Sequence, residues 1–290
     1  MPYRSVFRDA LFAGQVVIVT GGGSGIGRCT AHELSRLGAK LVLVGRKLDK
    51  LQAVATELQS DNPGAEVECL SCDIREEERV AETVKAALTR FGRIDGLVNN
   101  AGGQFPAPLA QISQKGWDAV VRNNLTGGFL VARECYTQWM ADHGGAIVNI
   151  VADMWMGMPN MGHSGAARAG MVNFTETAAT EWGVSGVRVN AVAPGWIASS
   201  GMDTYPDWMK PLIRDMRNHV PMQRLGNEAE VSAAIVFLLS PAASFISGTT
   251  LRVDAAVPNA RRHYPLPKHN NAPKAFDGFH RAVAPKVLEE

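Results

Sequence analysis

The stretch TGGGSGIG, residues 20–27, lies between a short apolar run, Val16–Val19, and a helical pattern that begins at Arg28. Glycines let a backbone turn sharply and approach a ligand closely, and the first N–H groups of a helix attract an anion. A strand before such a loop and a helix after it are typical of a dinucleotide-binding turn. The stretch therefore predicts a parallel α/β sheet with a pyrophosphate-binding loop. The loop residues expected at the ligand are Gly21, Ser24, Gly25, Ile26 and Gly27.

Six further apolar runs follow, and stretches of helical length separate each from the next. They are Leu41–Val44, Val67–Leu70, Ile94–Val98, Ile147–Val151, Val187–Val192 and Leu251–Val253. Strands that are buried on both faces are apolar throughout, and their alternation with helices predicts a doubly wound parallel sheet. The 290 residues are enough for one large α/β domain.

Two segments depart from this alternation. Between Ile197 and Leu225 the chain carries three prolines and charges of both signs, which is typical of a lid over a site. After Val257, prolines recur among basic residues and predict an irregular C-terminal extension. We therefore predict a main domain of residues 1–257, with its lid at about 197–225, and an extension of residues 258–290.

Composition narrows the function class. A formal net charge of +1 gives no long-range field for nucleic acid or for an acidic membrane. No apolar run approaches the ~18 residues that span a bilayer, and the first residues do not have the pattern of a secretory signal. The four cysteines are interpreted as reduced thiols. We expect a cytoplasmic protein with no metal and with neither a nucleic-acid nor a membrane partner.

The end of the second predicted strand, Val44-Gly45-Arg46-Lys47, bears on the choice of cofactor. A carboxylate at this place binds the ribose 2′-hydroxyl of NAD, whereas an arginine accommodates the 2′-phosphate of NADP. Here Arg46 offers a planar fork and Lys47 a second charge, while Ser24 of the loop offers a hydroxyl donor. These residues predict NADP(H) as the cofactor, and two solvated surface cations are the alternative.

Three motifs in order resemble the short-chain dehydrogenase/reductase family: the loop of spacing TGxxxGIG, the run VNNAG at 98–102, and Pro194-Gly195. The resemblance covers residues 15–256. It implies one Rossmann-like domain, usually in a homotetramer, with substrate and nicotinamide meeting above the carboxyl edge of the sheet. The residue roles that it implies are adenine contact by Asp73, bracing of the central strands by Asn100, contact with the nicotinamide carboxamide by Ile197, catalysis by Asn124, and cofactor motifs that include Gly102, Pro194 and Gly195.

The family's active site pairs a tyrosine with a lysine four residues later on one helical face. At those positions this chain has Ser164 and Arg168, within HSGAARAG at 163–170. Arg168 can bind ribose hydroxyls and supply a positive field, but a guanidinium with a pKa above about 12 does not exchange protons. The hydroxyl of Ser164 can donate a hydrogen bond but is a poor acid. Alcohol–ketone chemistry driven by a phenol is therefore not expected.

Conjugate reduction of an enoyl thioester needs no strong acid. Hydride transfer to C3 leaves an enolate on the thioester oxygen, which hydrogen-bond donors can stabilise. A proton for C2 could come from His163, Asp153 or a water molecule. The strings NNAGGQF at 99–105 and LSPAASFI at 239–246 are similar to those of peroxisomal-type trans-2-enoyl-CoA reductases, which carry serine and arginine at these helix positions. We predict an NADPH-dependent reductase of an acyl thioester, with Ser164, Arg168 and Asn124 as its catalytic residues.

Three questions stay open at this point. The same fold could serve a carbonyl or 2,4-dienoyl-CoA reductase with an acid such as Asp153, or a protein that binds NADPH without chemistry. The second question concerns the segment after the last predicted strand, where this chain has Asp254-Ala255-Ala256 and the family usually has Asp-Gly-Gly. The basic residues of the extension could bind CoA phosphates, or they could lie in solvent or cover an interface; they are Arg261, Arg262, Lys268, Lys274 and Arg281.

Overall fold

The computed structural model describes residues 2–260, 266–269 and 271–288, and a parallel sheet lies at its centre. The strands are β1 Val16–Thr20, β2 Lys40–Gly45, β3 Val67–Ser71, β4 Gly96–Asn99, β5 Gly145–Ile150, β6 Val187–Pro194 and β7 Thr250–Val253. All seven coincide with the predicted apolar runs, so the doubly wound α/β fold is confirmed. The strand order is β3-β2-β1-β4-β5-β6-β7, with every neighbouring pair parallel.

Helices connect the strands. They are α1 Gly25–Arg36, α2 Leu48–Asp61, α3 Glu77–Phe91, α4 Gln114–Val121, α5 Gly127–Cys135, α6 Ala141–His143, α7 Gly162–Trp182, α8 Lys210–Asp215 and α9 Glu228–Leu239. Two π-helical turns, Arg122–Thr126 and Tyr136–Met140, join α4, α5 and α6 into one continuous helix. None of the helices in the described ranges has both the length and the apolar character that crossing a bilayer requires.

Alternate residues of each strand enter two different cores. Val17 and Val19 of β1 pack with α1, α2 and α9 on one face of the sheet. Val16 and Ile18 pack with α3, α5 and α7 on the other face. Because both faces are covered, the central strands are apolar at most positions, which explains why the runs were recognisable in the sequence. The edge strands β3 and β7 are only partly buried and carry Glu68 and Arg252.

The strand order reverses between β1 and β4, since the chain builds outward from β1 to β3 and then returns to β4 on the other side. In open α/β sheets a ligand binds outside the carboxyl ends of the strands at such a switch point. The glycine-rich loop after β1 and the VNNAG run at the end of β4 both lie there. The topology therefore positions the site at this edge.

The lid segment, residues 197–225, begins at a β-bridge between Ile197 and Gly226. Short helical turns fold it around an apolar cluster of Met202, Met209 and Ile213, which Val287 of the C-terminal extension completes. The extension is otherwise irregular where it is described, as the prolines predicted, and it packs across α1 and α2. The boundaries given above for the lid and the extension stay predictions.

Candidate active site

The glycine loop is fixed against the end of β4. Gly21 has φ +67°, and a Cβ there would lie 2.8 Å from Nδ2 of Asn100. Asn100 donates from Nδ2 to the carbonyl oxygen of Thr20 at 3.0 Å, and its N–H donates to Oγ1 of the same threonine. Ser24 precedes α1 without capping it through its side chain, so its hydroxyl is available for a ligand. A side chain at Gly21 would therefore prevent the close approach between this loop and the end of β4.

A cavity of about 460 Å³ opens in front of this loop. The predicted residues that line it are Gly21, Ser24, Ile26, Arg46, Lys47, Asp73, Asn100 and Gly102. Sequence patterns did not indicate three further lining residues, Lys50, Asn123 and Ser199. Lys50 lies about one helical turn after Lys47, and this spacing could have indicated that both lysines face the same cavity.

The charges of this cavity are arranged asymmetrically. Arg46, Lys47 and Lys50 are exposed and form no ion pair within the part of the chain that the structure describes. The carboxylate of Asp73, in contrast, binds the guanidinium of Arg75, which holds the Asp73 pKa below its usual value. The three unpaired cations and the amide groups of the loop fit a phosphorylated dinucleotide.

Six predicted cofactor residues do not line this cavity: Arg168, which is described below, and the five that follow. Gly25 and Gly27 open α1, and a Cβ on Gly27 would lie 2.5 Å from the carbonyl oxygen of Gly21. Pro194 ends β6, and Gly195 approaches the backbone of Asp254 so closely that a Cβ would lie 2.7 Å from its Cα. Ile197 lines a second cavity of about 320 Å³ next to the lid segment.

Arg168 projects from α7 toward the end of β4. Its Nη1 donates to the carbonyl oxygen of Ile150, and its buried Nε finds no hydrogen-bond partner among the described residues. Burial lowers the Arg168 pKa to about 10, so the group remains protonated at neutral pH. A Cβ on Gly102 would lie 2.7 Å from both Nη2 of Arg168 and Oδ1 of Asn124. A cation and an amide therefore converge at Gly102.

Asn124 lies in the π-helical turn between α4 and α5, a feature that is frequent at functional sites. Its Nδ2 donates to the carbonyl oxygens of Gly103 at 2.7 Å and Val120 at 2.8 Å, and its Oδ1 accepts from the N–H of Gly103 at 3.2 Å. Both amide hydrogens are thus engaged by backbone groups. In this arrangement Asn124 positions the loop that follows β4.

Ser164 is fully buried, and its hydroxyl donates to Oε1 of Gln104 at 2.5 Å. Nε2 of Gln104 in turn donates to the hydroxyl of Tyr205 at 3.0 Å. Tyr205 belongs to the lid segment, so two hydrogen bonds connect that segment with α7. Gln104 lies in the NNAGGQF string but its role was not recognised, and no local pattern distinguishes Tyr205.

The two candidate proton donors differ in their surroundings. His163 is completely buried, its Nδ1 accepts from the N–H of Ser164 at 2.9 Å, and its ring packs edge-on against Phe105. Asp153 has a buried Oδ1 without a partner among the described residues. Burial and the nearby charge of Asp254 raise the Asp153 pKa, which favours the protonated carboxyl. The unpartnered oxygen and the raised pKa make Asp153 the candidate proton donor that we retain.

The basic extension is not a uniform charged patch. Arg281 binds Asp61 of α2 at 2.7 and 2.8 Å, whereas Lys274 lines the second cavity with Arg224 and Arg252. Arg261 and Arg262 lie outside the described residues. Lys268 is exposed, so the predicted contact of these basic residues with CoA phosphates stays a prediction.

Neither the cysteines nor the one His–Asp cluster in the described chain favours a metal. All four cysteines are free thiols, including Cys69 and Cys72, which are spaced as a CxxC pair. The ligand atoms of His32, Asp61 and His280 lie within 4.8 Å of one another. Arg281 already binds the Asp61 carboxylate, and its positive charge opposes a cation, so we interpret the cluster as ion pairing that holds the extension on α1 and α2.

Comparisons with known proteins agree with this geometry. The family model described as enoyl-(acyl carrier protein) reductase matches residues 21–257. A peroxisomal 2,4-dienoyl-CoA reductase of Danio rerio is 37% identical, over 87% of this chain and 84% of its own length. A probable 2,4-dienoyl-CoA reductase of Bacillus subtilis (strain 168) is 36% identical, over 83% of this chain and 95% of its own length.

A solved structure of a citronellol catabolism dehydrogenase from Pseudomonas aeruginosa PAO1 is 60% identical, with a TM-score of 0.80, over 88% of this chain and 100% of that one. Levodione reductase, 33% identical, superimposes with a TM-score of 0.81 over 86% of this chain and 100% of its own. Fold, glycine loop and matches lead to one conclusion: the chain belongs to the short-chain dehydrogenase/reductase family and is an oxidoreductase that takes a nicotinamide cofactor.

Proposed function

We propose that this protein is an NADPH-dependent reductase that acts on a conjugated carbon–carbon double bond of an acyl-CoA thioester. The observation that carries the proposal is the pair on α7, Ser164 and Arg168, a hydroxyl and a cation that stand where the family has a phenol and an amine. Neither group is a proton acid at neutral pH. Both are suited to stabilising negative charge on a thioester oxygen.

The cavity next to the glycine loop favours NADP(H) over NAD(H). Arg46, Lys47 and Lys50 surround the place where the ribose 2′-phosphate would lie, with Ser24 as a hydroxyl donor. Asp73, the carboxylate of this cavity, is neutralised by Arg75. When bound, the reduced nicotinamide supplies a hydride.

The substrate side then has two tasks. Arg168, whose guanidinium lies beside Gly102, supplies the positive field for the enolate oxygen, and Ser164, one helical turn before it on α7, supplies the hydrogen bond. The burial of Ser164 strengthens its hydrogen bond, because fixed dipoles act more strongly where water is excluded. Asp153 supplies the proton to carbon, while Asn124 holds the loop after β4 in place.

Trans-2-enoyl-CoA and 2,4-dienoyl-CoA are equally suitable substrates on this argument. In a dienoyl thioester the conjugation extends further, and hydride addition again leaves negative charge on the same thioester oxygen. The relatives named above as 2,4-dienoyl-CoA reductases favour the dienoyl substrate. The 60%-identical citronellol catabolism dehydrogenase favours a branched, terpenoid-derived acyl chain.

The deciding experiment measures NADPH oxidation by the purified protein with trans-2-enoyl-CoAs, 2,4-dienoyl-CoA, branched enoyl-CoAs and a panel of ketones. Oxidation of citronellol with NADP+ is measured in parallel. We expect saturable turnover with conjugated thioesters only. Turnover of ketones or citronellol alone would overturn conjugate reduction, and tight NADPH binding without any turnover would favour the alternative of a cofactor sensor.

The assembly and the location also belong to this proposal. A homotetramer is expected from the family resemblance, and size-exclusion chromatography with light scattering tests it. A cytoplasmic location is expected from the composition, and fractionation of the source cells tests that prediction.

A further inference from the structure

Tyr205 connects the lid segment with α7. Its hydroxyl accepts from Nε2 of Gln104 at 3.0 Å, and Oε1 of Gln104 accepts from the hydroxyl of Ser164 at 2.5 Å. We propose that Tyr205 is a positioning residue that, through Gln104, determines whether the Ser164 hydroxyl donates toward the substrate. This inference rests on the proposed function for the identity of the substrate, and on the hydrogen-bond geometry for everything else.

The donors and acceptors of Ser164, Gln104 and Tyr205 allow two arrangements. In the structure the hydrogen of Ser164 is donated to Gln104, so toward the site Ser164 can only accept. A half-turn of the Gln104 amide exchanges its oxygen and nitrogen without moving either neighbour. Nε2 then donates to Ser164, Oε1 accepts from the Tyr205 hydroxyl, and the hydrogen of Ser164 is released for a substrate oxygen.

Only a group that can both accept and donate supports both orientations of Gln104. The hydroxyl of Tyr205 has this property, since a phenol carries one hydrogen as well as lone pairs. Without it, the first orientation leaves Nε2 of a partly buried amide without its acceptor and the second leaves Oε1 without a donor, and both are unfavourable. Tyr205 is therefore required for the orientation in which Ser164 stabilises the enolate.

The backbone around Gln104 is held, so the glutamine cannot follow a displaced lid segment. Asn124 binds both the N–H and the carbonyl oxygen of Gly103, the residue immediately before Gln104. Tyr205 is held separately, by packing against the cluster of Met202, Met209 and Ile213. The orientation of Ser164 thus depends on the lid segment lying over the site.

The first test is a double-mutant cycle on whichever thioester is turned over. Tyr205→Phe keeps the ring and removes the hydroxyl, and we expect kcat to fall about 10-fold, with KM and NADPH affinity nearly unchanged. In a Ser164→Ala background the same substitution should have no further effect, because nothing remains to be oriented. Trp208→Phe, an exposed aromatic change in the same segment, is the matched control and should leave kcat unchanged. Multiplicative effects of Tyr205→Phe and Ser164→Ala would overturn the inference.

The second test needs no turnover. Hydrogen–deuterium exchange of the backbone amides at 200–205 is compared between wild type and Gln104→Ala, and we expect faster exchange in the variant because the lid segment loses its bond to the loop after β4. Unchanged exchange would overturn the coupling. Faster exchange in a protein that reduces no thioester would sustain the coupling and overturn the proposed function, so the two failures are distinguishable.

Discussion

The cofactor side and the substrate side of the site are assembled from contacts of different range. The cofactor side is built around two short stretches, residues 20–27 and 44–50, at the ends of neighbouring strands β1 and β2, and Asn100 at the end of β4 braces the first of them. The substrate side brings together Gln104, Ser164 and Tyr205, and its lid segment is completed by Val287 near the other end of the chain. The first side depends on the regular geometry of strand ends in a parallel sheet, whereas the second depends on the packing of irregular segments and can be retuned by changes far away in sequence.

The largest effect should come from Arg168, the centre of the substrate side. Arg168→Ala removes the cation beside Gly102, and we expect kcat/KM to fall by about 10² to 10³, as for the loss of a donor to a developing oxyanion. Arg168→Lys restores the charge and should recover part of the rate. Steady-state kinetics and a thermal melt of each variant separate catalysis from folding. An unchanged rate in Arg168→Ala would remove Arg168 from the mechanism.

Asp153 should give the next largest effect, together with a characteristic pH profile. Burial and Asp254 raise the Asp153 pKa, so its acid form persists to a higher pH than an ordinary carboxyl and kcat should fall as the pH rises through that raised pKa. Asp153→Asn should lower kcat by about 10² and abolish this alkaline limb.

Asp254→Asn is the matched control for this profile. It removes the neighbouring negative charge, so the Asp153 pKa should decrease and the limb should move to lower pH while the maximal rate is kept. A limb that survives in Asp153→Asn would assign the proton to His163 or to a water molecule.

The two sides also differ in how far the sequence could predict them. The central strands were predictable because they are buried on both faces, the partly buried edge strands β3 and β7 because they still contain short apolar runs, and the loop at 20–27 because a strand and a helix flank it. Ser164 and Arg168 could be paired because the helical period puts them on one face. The bond between Gln104 and Tyr205 could not be predicted, since it arises only when the lid segment folds around Met202 and Val287. The pairing of Asp73 with Arg75, and of Arg281 with Asp61, likewise requires coordinates.

A smaller effect is expected on the cofactor side. Arg46→Ala combined with Lys47→Ala should weaken NADPH binding by about 10- to 30-fold, because two charge-assisted contacts to the 2′-phosphate are lost, while NADH binding should hardly change. Fluorescence titration of both cofactors gives the ratio directly. Arg79→Ala, an exposed arginine on α3, is a control that should affect neither. Equal weakening for both cofactors would mean that these cations do not read the 2′-phosphate.

The smallest effect concerns the turn after β7, where Ala255 and Ala256 have φ values of +50° and +64°. The left-handed region costs a residue with a Cβ about 1–2 kcal/mol, so Ala255→Gly and Ala256→Gly should each raise the free energy of unfolding by about 1 kcal/mol in urea titrations. Ala119→Gly, on the exposed side of α4, should lower it by a similar amount, because helical φ values need no glycine.

The turn also places Asp254, whose Oδ1 accepts from the N–H of Ala256 at 2.9 Å. If the strain serves the substrate side by holding Asp254 near Asp153, the stabilised variants will show an altered alkaline limb, and an unchanged limb will make the two alanines a purely structural departure from the family pattern.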